Sequence, residues 1–260
     1  MDRSRTASYT TRLLKGGAVL DDTRRVVELW DLALEPRANL EKLSAENPLA
    51  KRSRSRLDDL LYWVIRRRFV DSGPHVIAAL KGLLHDHRAF REACYYEASR
   101  DDGLLAGFVE GPLWEWWQRG RLAVGVEDAL GWLQELADSG KAPDWSDSVR
   151  TRLSQGLLSA LRDFGILKGA PRCHRKEFAQ PAMSARGFAY VAWREHEQGA
   201  SSRALANGCV WHRWLLDDAA VEALFNQSAR LGVLQLSRAG SAVRVDWRVA
   251  GLAEATRAAA

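Results

Sequence analysis

The sequence has no long apolar run and no apolar segment at its start. No stretch free of Asp, Glu, Lys and Arg is longer than about nine residues, whereas a membrane-spanning helix needs ~20 predominantly apolar residues. The hydropathy therefore excludes a transmembrane protein. Polar residues follow the initial Met-Asp-Arg-Ser-Arg, so we expect no secretory signal and a cytoplasmic protein.

Cysteine is scarce. The three cysteines, Cys94, Cys173 and Cys209, are an odd number at wide spacing. A disulfide framework needs paired cysteines, so the sequence predicts reduced thiols in a reducing compartment.

Recognisable catalytic motifs are also missing. Phosphate-binding loops, dinucleotide-binding glycine patterns and a Gly-x-Ser-x-Gly elbow are absent. The acidic doublets, such as Asp58-Asp59, lack the following Glu-x-Lys of a metal-dependent nuclease. The pairs Cys209/His212 and His85/His87 offer two ligands each, whereas a structural zinc needs four. We therefore expect a protein without enzymatic activity, cofactor or metal.

The apolar spacing that is present is mostly helical. One stripe consists of Leu57, Leu60, Leu61, Val64 and Ile65, and others are centred on 26–33, 149–164 and 221–225. Strand patterns are short, chiefly 233–236 and 243–247, and Gly240 lies in the connection of that hairpin. The predicted fold class is mainly α, with two helix-turn-helix units, the C-terminal one winged, plus short β-hairpins.

Glycine and proline divide the chain. Gly73-Pro74 and the segment 138–144 are the strongest helix breaks. They predict an N-terminal helix-turn-helix domain over 1–73, a Trp-rich helical region over 74–140 and a C-terminal winged-helix-like region over 141–260. The tryptophans of Leu113-Trp-Glu-Trp-Trp117 favour core packing over base stacking.

Positive charge is concentrated in two places. The 38 Lys and Arg exceed the 33 Asp and Glu by five. Residues 51–68 hold seven bases and two acids, and residues 150–177 hold seven bases and two acids, so each segment carries +5 and the remainder −5. Contact with a polyanion is the natural interpretation.

The first cluster lies at a predicted helix start. A helix through Leu40 and Leu43 ends at Asn47-Pro48, and another begins near 53–56, where Ser55 is a candidate cap with Asp58 three residues later. Four cations gather there, beside the free N–H groups of the first turn. We predict that these bind DNA phosphates: Lys51, Arg52, Arg54 and Arg56.

The second cluster surrounds a longer predicted helix, capped by Ser146 or Ser148 and ending near Phe164. A short strand and a basic loop follow, as in a winged helix-turn-helix. One polar stripe of this helix holds Arg152, Gln155, Ser159 and Arg162. Such a stripe can read bases in a major groove, or can simply be a solvated face. Further predicted DNA contacts are Arg150, Arg172, Arg175 and Lys176. The C-terminal helix over 217–230 and its hairpin have a similar outline without a basic concentration.

Three segments resemble a known family. The chain is similar to BrxA, a core protein of bacteriophage-exclusion (BREX) defence systems. The similarity lies in Tyr9-Thr-Thr-Arg-Leu-Leu-Lys-Gly-Gly17, in residues 46–55 and in the segment Ser148 to Leu167. The resemblance implies a mainly helical, non-enzymatic protein with helix-turn-helix elements that binds DNA. It also implies that the protein functions together with the methyltransferase, ATPase and phosphatase-like proteins of the system.

Three functional hypotheses remain at this point. The first is a DNA-binding accessory protein of a BREX system, with double-stranded DNA as partner, contact with other BREX subunits open, no membrane, and a monomeric or weakly oligomeric state. The second is a winged-helix transcriptional regulator, which predicts sequence-selective binding. The third is an adaptor that docks defence proteins through its Trp-rich region, which predicts no DNA affinity.

Overall fold

The computed structural model describes residues 9–240 and 242–259. Within those ranges the chain is mainly α-helical, as its apolar spacing predicts. The α-helices are α1 (Leu13–Gly16), α2 (Leu20–Leu29), α3 (Pro36–Glu46), α4 (Arg54–Asp58), α5 (Pro74–Gly82), α6 (His87–Asp101), α7 (Gly103–Phe108), α8 (Trp114–Gln118), α9 (Val126–Asp138), α10 (Asp147–Asp163), α11 (Ala185–Glu197), α12 (Ser202–Asn207), α13 (Asp218–Arg230) and α14 (Leu252–Ala258). None of the described helices is both long and apolar enough to cross a membrane.

Three further helical segments have other geometries. A π-helical segment (Asp59–Val70) continues α4, a second (Val109–Leu113) joins α7 to α8, and a 3-10 helix (Cys209–Trp214) precedes α13. The first places Leu60, Leu61, Val64 and Ile65 in the core, so the predicted apolar stripe is confirmed. The strands are β1 (Ala123–Gly125), β2 (Leu167–Lys168), β3 (Arg175–Phe178), β4 (Leu234–Ala239) and β5 (Ala242–Trp247).

The buried apolar side chains form one continuous cluster. It includes residues of all three predicted regions, for example Ile65, Tyr95 and Leu157. α6 contacts α11, α7 and the π-helical segment 59–70, which gives it a central position in this cluster. The boundaries between the three regions stay a prediction.

The strands of a small sheet flank α9 and α10 in the sequence. β1 precedes α9, β2 follows α10, and β3 pairs antiparallel with both, so the strand order is β1-β3-β2. Val124 lies opposite Lys176, and Leu167 lies opposite Phe178. The basic loop over 169–174 connects β2 to β3. α10 buries its predicted apolar stripe, including Leu153, Leu157 and Leu161.

The C-terminal hairpin is confirmed. β4 and β5 pair antiparallel, with Ser237 opposite Arg244, and Gly240 in the turn has a φ of 59°. Trp247 of β5 packs edge-on against Trp193 of α11 at 4.8 Å between ring centroids. The hairpin is therefore anchored to the core at its open end.

Two local predictions are wrong. The apolar spacing extends a helix to Ala33, but α2 ends at Leu29, because Trp30 turns to an extended conformation and Asn39 donates to and accepts from the backbone of Asp31. The cap of α4 is Ser53, whose hydroxyl accepts from the backbone N–H of Arg56 at 3.2 Å, and Ser55 lies inside the helix.

The Trp-rich segment packs against distant parts of the chain. Trp116 contacts Phe108, and Trp117 contacts Phe178 of β3. Trp114 stacks on His212 with 4.0 Å between ring centroids and 7° between planes. These aromatic contacts connect the middle of the chain to both β3 and the 3-10 helix.

We expect the His212 contact to make stability pH-dependent. Burial lowers the pKa of His212, so the folded state binds fewer protons than the unfolded state. This contribution is complete above the ordinary histidine pKa of about 6.5 and is lost as pH falls below it. Urea unfolding of the parent and of His212→Phe, followed between neutral and mildly acidic pH, checks the prediction. An equal decline in both proteins contradicts it.

Candidate nucleic-acid interface

An open groove runs between α10 and the segment from α1 to the start of α2. Its volume is about 550 Å³. One wall is the segment Leu13–Val19, and the other is the exposed face of α10. Its polar and charged lining residues are Lys15, Arg56, Arg152, Gln155, Ser159 and Asp163.

A glycine on α10 brings the two walls together. A Cβ at Gly156 would lie 3.7 Å from Leu13 and 3.8 Å from Leu14, so α1 packs directly on this position. After α1 the chain turns at Gly17, whose φ is 58°. The carbonyl oxygen of Gly17 accepts from Nη1 of the buried Arg68 at 2.8 Å, which fixes the turn. Burial lowers the pKa of Arg68.

The groove unites residues from both predicted basic clusters. Arg56 is exposed in the middle of α4, and its Nη1 donates to the carbonyl oxygen of Lys15 at 2.6 Å. Arg152 and Gln155 are exposed on α10, and Ser159 is half-buried one turn later. Residues about one hundred positions apart therefore line the same surface.

The rest of the first cluster is mostly neutralised. Lys51 pairs with Asp22 at 2.7 Å. Arg54 donates to the carbonyl oxygen of Ser44 at 2.7 Å and pairs with Asp58 at 3.3 Å. Arg52 is exposed. The sequence therefore predicts more positive charge for a ligand at the start of α4 than the structure leaves unpaired there.

The second cluster also contains paired cations. Arg150 pairs with Asp144 at 3.0 Å and with Asp147 at 2.5 Å, and its side chain is only 14% exposed. Arg162 is half-buried and pairs with its neighbour Asp163. Arg162 is therefore not available on the predicted polar stripe of α10. The remaining residues of that stripe are Arg152, Gln155 and Ser159.

Lys176 requires a correction, because the structure does not place it on the surface. It is 1% exposed, and its ammonium group donates to the carbonyl oxygen of Ala170. Its side chain fixes the loop between β2 and β3 from inside. Arg172 and Arg175 in that loop and the adjoining β3 are exposed.

Ion pairing therefore selects a smaller set of cations. Among the described residues, no carboxylate lies within 4.0 Å of the charged groups of five predicted contacts. These are Arg52, Arg56, Arg152, Arg172 and Arg175. Only Arg56 and Arg152 of this set also line the groove.

Lys15 is a groove residue that charge counting missed. It lies outside both basic clusters, and its Nζ pairs with Asp59 at 2.9 Å. The available signal was the run Arg12-Leu-Leu-Lys-Gly-Gly17, in which a cation directly precedes two glycines.

A family model, BrxA, matches residues 7–194, which is more than half of the chain. The chain belongs to the BrxA family. This confirms the resemblance seen in the sequence, and the matched residues include every residue that lines the groove. Membership supports a role as a BREX-associated phage-defence protein. The segment from Glu195 onward, with α13 and the C-terminal hairpin, lies beyond the BrxA match.

Solved structures show the same fold. One match is the crystal structure of an uncharacterized protein from Magnetospirillum magneticum, with 18% sequence identity and a TM-score of 0.59. The similarity covers 80% of this chain and 97% of that chain. No curated protein matches the chain.

Proposed function

We propose that this BrxA-family chain is a non-enzymatic accessory protein of a BREX system that binds duplex DNA through the groove between α1 and α10. The observation that carries the proposal is the convergence of Arg56 and Arg152, two cations without a carboxylate partner among the described residues, on one open groove. Unpaired cations attract phosphates more strongly than cations already held by carboxylates, because binding breaks no ion pair.

The order of elements around α10 supports this assignment. α9 and α10 lie between β1 and β2, and β3 pairs between those two strands. We take this order as that of a winged helix-turn-helix unit, with α10 as its recognition helix and the loop between β2 and β3 as its wing. In this assignment α10 reads the DNA, and Arg172 lies in the wing.

The groove residues divide into two chemical roles. Arg56 in the groove, and Arg52 outside it just before α4, suit phosphate contacts, which set the position of the protein on the duplex. Arg152 and Gln155 suit base contacts, because Arg pairs with guanine and Gln with adenine through two hydrogen bonds.

We expect Arg56→Ala to weaken binding to all duplexes and to reduce the salt dependence. Removing one phosphate contact lowers the slope of log K against log salt by about 0.9. Fluorescence anisotropy with labelled duplexes at several salt concentrations measures both quantities. Arg37→Ala is the matched control, because Arg37 is 90% exposed, pairs with Glu41 and lies outside the groove.

Arg152→Ala with Gln155→Ala tests base recognition in the same assay. Any sequence preference of the parent is expected to relax, by about 1–3 kcal/mol for each well-paired base that the variant no longer reads. Both side chains are exposed, so the variant is expected to melt like the parent. Parental affinity, slope and preference in both groove variants would refute the proposal. Absence of DNA binding by the parent at low salt would favour the adaptor hypothesis.

A further inference from the structure

One aromatic side chain beside the groove has no role in the core. Trp63 is 56% exposed, and it is the only aromatic residue among the exposed large apolar residues of the described chain. Its neighbours Leu61, Val64 and Ile65 are buried, so the helix is held to the core by its other face. Packing therefore explains those neighbours and leaves Trp63 unexplained.

Contacts link Trp63 to the groove through Lys15. Nζ of Lys15 lies 5.0 Å from the centre of the Trp63 ring, and it pairs with Asp59 at 2.9 Å. Arg56 donates to the carbonyl oxygen of Lys15. Arg56, Asp59 and Trp63 are spaced 3 and 4 along one continuous helix, and all three contact Lys15 or its backbone. Trp63 thus lies at the edge of the groove that Lys15 and Arg56 line.

The helix that carries Trp63 has an uncommon geometry. Residues 59–70 are π-helical, and the N–H of Asp71 donates to the carbonyl oxygen of Arg66, five residues earlier, at 2.8 Å. π-helical turns are rare and frequently lie at functional sites. Here the geometry coincides with the exposed tryptophan and with Lys15 beside it.

We propose that Trp63 stacks on an unpaired DNA base and gives the groove a preference for DNA that has unpaired bases next to a duplex. The inference rests on the proposed DNA binding by the groove. An indole ring can hold a base while a nearby cation without a carboxylate partner, here Arg56 in the groove, holds an adjoining phosphate. Bases inside an intact duplex are already stacked on each other, so the contact requires a frayed, flipped or single-stranded base.

The test compares a blunt duplex with the same duplex carrying a short single-stranded overhang. The parent is expected to bind the overhang substrate at least about fivefold more tightly, which is the low end of what one stacked base contributes. Trp63→Ala is expected to remove this difference by weakening binding to the overhang substrate much more than binding to the blunt duplex. Trp63→Phe keeps a smaller aromatic ring and is expected to retain part of the preference.

Leu122→Ala is the control, because Leu122 is 81% exposed and lies outside the groove. A 2-aminopurine in the overhang provides a direct readout, since stacking on Trp63 quenches its fluorescence and Trp63→Ala restores it. An overhang preference that survives in Trp63→Ala, or is absent from the parent, overturns the inference.

The two proposals fail separately. If Arg56→Ala and the Arg152/Gln155 variant bind both substrates like the parent, the groove is not the DNA site and both proposals fall. If these variants weaken binding but Trp63→Ala keeps the preference, only the stacking role is refuted. Thermal melting of Trp63→Ala is expected to match the parent, because an exposed side chain is removed.

Discussion

Glu97→Ala is expected to destabilise the protein by about 3–5 kcal/mol, because it removes the fully buried one of the two carboxylates that pair with Arg194 and leaves buried donors without an acceptor. The Glu97 side chain is fully buried. Its Oε1 accepts from Nε of Arg194 and from the hydroxyl of Tyr190, each at 2.8 Å, and its Oε2 accepts from Arg100 at 2.8 Å. The bonds from Arg194 and Tyr190 join α6 to α11 in the core, and the bond from Arg100 lies within α6.

The cost arises at Arg194. Its side chain is 4% exposed, and without Glu97 its guanidinium keeps Glu197 as its carboxylate partner at 2.8 Å. Urea unfolding followed by tryptophan fluorescence measures the decrease in stability. Glu41→Ala is the control, because the Glu41 pair with Arg37 is exposed at both ends and such pairs contribute about 0–1 kcal/mol. Equal, small decreases in both variants would show that the Glu97 network does not stabilise the core.

Gly187→Ala is expected to destabilise the protein by about 1–3 kcal/mol through overpacking. A Cβ at Gly187 would overlap Oε2 of Glu92 and lie 3.0 Å from the Cβ of Glu92. The Glu92 carboxylate is held by the N–H of Ser184 at 3.0 Å and by Arg88 at 3.0 Å, so it cannot move without breaking these bonds. The close approach of α6 and α11 therefore requires glycine.

Gly131→Ala should change stability in the opposite direction. Gly131 lies in α9 and is exposed, and a Cβ at this position would have no atom of another residue within 4 Å beyond its own helix and chain neighbours. Alanine there is expected to add about 0.4–1 kcal/mol to the stability by restricting the unfolded chain.

In a Glu92→Ala background, Gly187→Ala is expected to lower stability less than in the parent, because the overlapping oxygen is gone. Thermal and urea unfolding of the four variants checks both signs, and equal effects of the two glycine changes would contradict the overpacking argument.

Local signals in the sequence predicted the elements well. Gly73-Pro74 separates two helices because proline suits a first helical turn and Gly73 adopts a φ of 112°. Asp217 caps α13 by accepting from the N–H of Ala220 at 2.8 Å. The end of α2 could not be predicted from local signals, because the contact that ends this helix comes from Asn39 in the next helix.

The candidate site was only partly predictable. Arg56, Arg152, Gln155 and Ser159 were found from charge and helical spacing, and all four line the groove. Spacing could not show that α1 lies against Gly156, and so Lys15 was missed. Exposure of Trp63 was equally hidden, because its sequence neighbours form a regular apolar stripe.

The sequence by itself determined the helices, the C-terminal hairpin, the family and the two concentrations of positive charge, because these depend on residues close together in the chain. Only the tertiary structure decided which cations stay available. Lys51 is neutralised by Asp22, 29 positions earlier, and Lys176 is buried beneath its own loop. Arg56 and Arg152 meet because α1 packs between their helices. Ion pairing and burial depend on distances in space, and the number of charges along a segment does not give those distances.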